Sequence, residues 1–217
     1  SMDRLAAIFM GIAPAAAPSA AALAQRKKPT PVALEEEAKA RGAIAAWLGR
    51  VVAAAQVAHS KPMVRPKESQ AFDFEGEIAM IIGSNGRRIS QSEALSHVAG
   101  FGIYNDGSIR DYQRHTSQFT PGKNFADTGA FGPWMMTPDE IGDLSQMEIT
   151  TRLNGEVMQN AKAELLVHGF KELIEYCSTF VELEAGDVIV TGTPGGVGVA
   201  RNPPVFMDEG DLIEIEV

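Results

Sequence analysis

From Lys61 onward the apolar and polar positions alternate in short, regularly punctuated runs. Phe72 to Ile82 (FDFEGEIAMII) predicts a strand with Phe72, Phe74, Ile78, Met80 and Ile82 on one face, because side chains two apart in a strand point the same way. Gly83, Asn85 and Gly86 predict a turn after it. Ser90 followed by Glu93 has the spacing of a capping box for a short helix, which Gly100 is placed to end. Phe101 to Tyr104 reads as a further strand running into Asn105-Asp106-Gly107. Thr137-Pro138-Asp139-Glu140 predicts a capped helical turn. Asn154-Gly155, between the alternating runs Met147 to Leu153 and Glu156 to Gln159, predicts a two-residue hairpin. Leu165, Leu173, Ile174, Cys177 and Phe180 describe an amphipathic helix interrupted near His168-Gly169. Two acidic turns, at Glu184 to Asp187 and Asp208 to Asp211, lead into the strand Val188 to Val190 and a last strand ending at Val217. Strands outnumber helices and short turns join them, which predicts a β-rich α+β chain rather than an alternating βαβ one.

The stretch before Lys61 has a different texture. It is alanine-rich, carries a charged run from Glu35 to Arg41, and shows only a weak helical stripe through Leu34, Ala38, Ile44 and Leu48. We therefore expect a small N-terminal region over residues 1–60 and a catalytic domain over 61–217. Leu5 to Ile12 and the alanines beyond loosely resemble an export signal, but Asp3 lies where such signals are basic and Pro14 and Pro18 break the run. The expectation is a cytoplasmic protein.

Charge narrows the partners. The 217 residues carry a net charge of -9, so a polyanion would be repelled and a nucleic-acid partner is not expected. No apolar run approaches the ~18 residues of a membrane span. The single cysteine, Cys177, lies in the apolar stripe of the predicted helix and is expected in the core. His59, His97, His115 and His168 have no ligand spacing with one another.

The candidate chemistry is carboxylate-based. Glu75 and Glu77 lie two apart on the predicted strand and share a face. Alternation alone fits a solvated sheet face, but the same face continues as Ala79 and Ile81. A carboxylate pair at the edge of a buried face is costly unless a cation neutralises it. Asp106, just after the next strand, offers a third oxygen ligand, and three carboxylates without a Cys/His cluster suit magnesium, manganese or calcium rather than zinc. Such a site stays anionic, so an acidic substrate needs further cations, for which Arg110 and Lys123 lie downstream, with Gln113 as a neutral hydrogen-bonding group. The loop Thr191 to Gly198 (TGTPGGVG) has neither a P-loop Lys-Ser/Thr nor the dinucleotide glycine spacing, but can offer backbone N–H groups and Thr193 to a carboxylate.

Five blocks in order (FDFEGEIAMIIG, GFGIYNDGSIRDYQ, GKNF with GAFGPW, LNGEVMQ and LEAGDVIVTGTPGGVG) resemble the fumarylacetoacetate hydrolase family over about Lys61 to Val217. The resemblance implies a mixed β-roll with a flattened, barrel-like core, usually in a homodimer, and a magnesium or manganese ion on Glu75, Glu77 and Asp106. It further implies that Lys123 faces the substrate and metal, with Gln113 and Thr193 as substrate contacts; Arg110 is expected at the substrate as the further cation. The expected activity is metal-dependent hydrolytic C–C cleavage of an acylpyruvate or fumarylpyruvate-like acid in aromatic or organic acid breakdown. The alternatives are isomerisation or decarboxylation through the same enolate, or a non-catalytic binding protein on the same scaffold. One departure bears on this choice. Hydrolytic members carry an upstream Asn-Tyr segment and a lid with a water-activating His–Glu pair. Here no Asn-Tyr pair precedes Lys61, and the only upstream histidine is His59.

Overall fold

The computed structural model describes residues 54–217 and the backbone of one earlier strand, β1 (Ala7–Phe9). The helical stripe expected through Leu34 to Leu48 lies outside the described residues. The remaining strands are β2 (Gln56–Ala58), β3 (Phe72–Asp73), β4 (Gly76–Ile82), β5 (Val98–Asn105), β6 (Ser108–Ile109), β7 (Gly129–Met136), β8 (Glu148–Leu153), β9 (Glu156–Lys162), β10 (Val188–Val190) and β11 (Ile213–Glu216). The α-helices are α1 (Arg110–Gln113), α2 (Pro138–Ile141) and α3 (Phe170–Phe180). The class is the β-rich α+β expected. Its main sheet has six strands in the order β1-β10-β4-β5-β7-β2, open at both edges among the described residues. A three-stranded sheet, β11-β8-β9, and the small pair β3-β6 complete it.

The predicted strand from Phe72 to Ile82 is in fact two. Phe72–Asp73 pairs with Ser108–Ile109, while Gly76–Ile82 pairs with β5. Between them the Glu75 N–H leaves the ladder and donates to the Asn105 side chain at 3.0 Å. The apolar alternation therefore serves two cores. Phe72 and Phe74 pack with Ile109, Leu153, Met158 and Met207. Ile78, Met80 and Ile82 face α3, which contributes Phe170, Leu173, Ile174 and Cys177. Cys177 is fully buried, as expected for a core residue. The opposite face of β4 passes from the glutamates to Ala79, which clusters with Tyr104, Val188 and Val190.

Gly76 is what allows the hairpin to cross β4, because a Cβ there would run into the Thr151 hydroxyl on β8. The hairpin turn is as read: Asn154 and Gly155 both have positive φ (53° and 82°), the geometry of a two-residue type I′ connection. Thr137 and Glu140 form the expected capping box on α2. Gly100 does not end a helix. The helical turn stops at His97, and Gly100 lies inside β5, where a Cβ would collide with the Met136 carbonyl and the Met135 side chain.

Candidate metal centre

Antiparallel pairing assembles the three carboxylates. Gly76 at the start of β4 is opposite Asn105 at the end of β5, so Glu75 and Glu77 flank the level at which the chain leaves β5 into Asp106. The Asp106 N–H donates to the Glu75 carbonyl at 2.9 Å, locking the two backbones together. Glu75, Glu77 and Asp106 are all buried, and each brings a carboxylate oxygen within 4.8 Å of the others.

Lys123 reaches the same point from a short helical turn, Thr120–Lys123, whose Gly122 sits against the Gln113 backbone and the Ile109 carbonyl, where a side chain would collide. Its ammonium donates to Glu75 Oε2 at 2.8 Å, Asp106 Oδ2 at 2.6 Å and Ser108 Oγ at 2.6 Å. Burial works against this charge, but Asp106 and Glu75 outweigh it and hold the lysine above its ordinary value. Three acceptors thus hold the lysine nitrogen in place.

Arg110 opens α1 and binds the opposite side of Glu75. Its Nε donates to Asp73 Oδ2 at 2.8 Å, and its Nη1 to Glu75 Oε1 and, at 3.1 Å, to Gln113 Oε1. Glu77 accepts from the Gly192 N–H at 2.6 Å. Thr193 donates its hydroxyl to the Gly76 carbonyl at 3.0 Å and accepts from Gln159 at 2.8 Å. The loop Thr191 to Gly198 does give backbone N–H groups to carboxylates, as its composition suggested, but they are the protein's own: Glu77 at one end and Asp73 at the other.

The electrostatics call for one more cation. Four buried carboxylates (Asp73, Glu75, Glu77 and Asp106) face two cations, Arg110 and Lys123, leaving two negative charges. Burial, then Asp106 and Glu75, push the Glu77 carboxyl well above the usual carboxylate range. Burial also raises Asp106 to about 6, with Lys123 opposing and Glu75 reinforcing. Tyr104, opposite Glu77 in the ladder, is raised by burial and then by Asp106. Three converging carboxylates with a residual charge of this size fit a hard divalent ion, which takes oxygen ligands at about 2.0–2.6 Å. Among the described residues no other cluster of three such ligands occurs.

All seven residues singled out in the sequence thus fall in one neighbourhood: Glu75, Glu77, Asp106 and Lys123 in direct contact or convergence, Arg110 and Gln113 beside Glu75, and Thr193 against the backbone of Gly76. Asp73, Ser108 and Gln159 were missed. Asp73 had a signal, since it continues the two-residue spacing of Glu75 and Glu77. Gln159, almost fully buried, joins Gly76 N to Thr193 and Pro194, a bridge between elements far apart in sequence that leaves no local trace.

A β-rich α+β fold in which three buried carboxylates converge beside a lysine defines an arrangement that could hold a divalent ion. The chain belongs to the fumarylacetoacetate hydrolase family: the model of the fumarylacetoacetate (FAA) hydrolase C-terminal region matches residues 14–217. A curated relative, the mitochondrial oxaloacetate tautomerase FAHD2A of Bos taurus, is 43% identical over 157 residues, which cover 71% of this chain and 50% of that protein. Among solved structures, the fumarylacetoacetate hydrolase of the psychrophile Exiguobacterium antarcticum is similar with a TM-score of 0.72 and 38% identity, over 75% of this chain and 59% of that one. A 5-carboxymethyl-2-hydroxymuconate delta-isomerase from Mycobacterium smegmatis gives 0.68 and 34%, over 75% and 61%. The chain spans about half the length of the curated relatives it matches. These relatives are enzymes, and tautomerases and isomerases stand among them beside hydrolases.

Proposed function

We propose that this chain catalyses a metal-dependent proton shift between the keto and enol forms of a small 2-oxo acid, with an oxaloacetate-like diacid as the substrate class. The observation that carries the reading is the Lys123 ammonium, buried and fixed between Glu75 and Asp106. A cation at that point stabilises negative charge developing on an oxygen. A divalent ion on Glu75, Glu77 and Asp106 would act as a Lewis acid toward the carbonyl and carboxylate oxygens of the substrate. Gln113, whose amide oxygen is taken by Arg110, keeps its amide N–H groups for a substrate oxygen. Thr193, its hydroxyl hydrogen directed to Gly76, serves as an acceptor.

One finding favours proton shift over hydrolysis: a 43% identical relative is an oxaloacetate tautomerase. Both reactions need a base, and the histidines of the described residues have their contacts in other places. His97 bonds to Ser84, His115 stacks on Tyr112, His168 lies beside Glu172, and His59 packs by Gly132.

The test follows enol absorbance in the ultraviolet for oxaloacetate and for an acylpyruvate, with magnesium or manganese and with chelator. The expected result is metal-dependent enol–keto conversion of oxaloacetate, reduced ~100-fold or more in Lys123→Ala, the scale of losing one electrostatic stabiliser. Release of two carboxylic acids from the acylpyruvate would instead establish C–C hydrolysis. Ion binding with neither reaction would sink both.

A further inference from the structure

Asp73 is fully buried and belongs to neither the carboxylate triad nor the substrate-facing set, yet its carboxylate accepts four hydrogen bonds. Its Oδ1 accepts from the backbone N–H groups of Phe74 and Gly198, each at 2.8 Å. Its Oδ2 accepts from the Val199 N–H and from Arg110 Nε, again each at 2.8 Å. Those bonds reach both glutamates of the triad. On one side Arg110 carries the constraint to Glu75 Oε1. On the other, Asp73 pins the far end of the loop whose near end, Gly192, donates to Glu77 Oε2. Gly198 is built around this approach, because a Cβ there would collide with the Val205 carbonyl and crowd Asp73 Oδ1.

We propose that Asp73 is the positioning residue of the ion site, setting the orientation of Glu75 through Arg110 and of Glu77 through the loop ending at Gly198. The proposal rests on the triad being an ion site, but not on which reaction follows. Its physical basis is that a carboxylate oxygen is an effective ligand only when its direction is held, and partners that hold ligands typically account for about 10–100-fold in metal affinity. Arg110 makes the geometric role separable from simple charge. Taken as a charge alone, a guanidinium beside Glu75 repels a divalent cation, so removing it would tighten binding. Taken as the connection between Asp73 and Glu75, removing it loosens the ligand and weakens binding.

The experiment titrates Mn2+ into the parent chain and into Asp73→Asn, Arg110→Gln and the double variant, with circular dichroism and a melting curve on each. Asparagine keeps an acceptor for Phe74 and Gly198 but turns an amide N–H2 toward the Val199 and Arg110 donors. The expected result is a folded Asp73→Asn with Mn2+ affinity reduced ~10–100-fold. Arg110→Gln should weaken Mn2+ in the same direction, and the double variant should lose less than the two single losses combined, since the residues act along one route. Parent-like Mn2+ affinity in a folded Asp73→Asn overturns the proposal, as does Arg110→Gln binding Mn2+ as tightly as the parent or tighter. Should Asp73→Asn not fold, Arg110→Gln decides by the same criterion. A parent chain that binds no Mn2+ overturns the ion site and this inference together, whereas normal Mn2+ binding without turnover overturns only the reaction.

Discussion

Lys123 has all three of its ammonium hydrogens engaged, two by carboxylates and one by Ser108. Removing the charge while keeping the bulk, as in Lys123→Met, would leave Glu75 and Asp106 facing each other in a buried site. Breaking a buried ion pair from one side typically costs about 3–5 kcal/mol, because the remaining charge has no compensation. In chelator, urea unfolding of Lys123→Met should therefore show a loss on that scale, and added magnesium should recover part of it by neutralising the same carboxylates. A loss unaffected by magnesium would mean that the lysine and the ion do not share these ligands. The residue scale is also where the sequence was most informative. Glu75, Glu77, Asp106 and Lys123 were identifiable because ionisable side chains among apolar and glycine-rich neighbours stand out. Asp73, with the same spacing as the glutamates, passed unnoticed because its partners come from Gly198, Val199 and Arg110.

Among the elements, the Asn154-Gly155 hairpin, the capped turn at Thr137 and the strand Val188–Val190 were legible because their determinants are local: positive φ, a side chain reaching its own helix start, a short apolar run after a turn. The run from Phe72 to Ile82 was not legible as two strands. A period of two describes side-chain direction, and it continues unchanged when the backbone switches partners from β6 to β5. Gly76 marks the switch, since it lets β8 pass over β4 with the Thr151 hydroxyl in the space of a side chain. Gly76→Ala should thus be destabilised by about 1–3 kcal/mol, the usual cost of overpacking a filled site, read as a lower urea midpoint. Gly155→Asn, at a position open to solvent whose positive φ asparagine tolerates, should change the midpoint far less. Equal losses at both positions would rule out the crossing as the reason for glycine at 76.

Over the whole molecule, ion binding and folding are expected to be linked. The triad is drawn from the start of β4 and the end of β5, and its partners from α1, the turn at Lys123 and the loop after β10. An ion held there would therefore bind the folded chain and not the unfolded one. At 100 times its dissociation constant it should add about 2.7 kcal/mol of stability. Magnesium or manganese should raise the melting temperature, chelator should reverse the rise, and Glu77→Ala should abolish it. A melting temperature indifferent to these ions would argue that the carboxylates hold none. What the sequence by itself determined was the class of fold, most of the strands and turns, and the identity of the charged groups, because these follow from periodicity, turn chemistry and unusual local composition. Only the tertiary structure decided how the groups are wired: that Lys123 bridges Glu75 and Asp106, that Arg110 is held by Asp73, and that Thr193 faces the backbone of Gly76. Those contacts join residues as much as 117 positions apart, as between Gly76 and Thr193, and long-range packing and burial, not local pattern, choose among the partners a side chain can have.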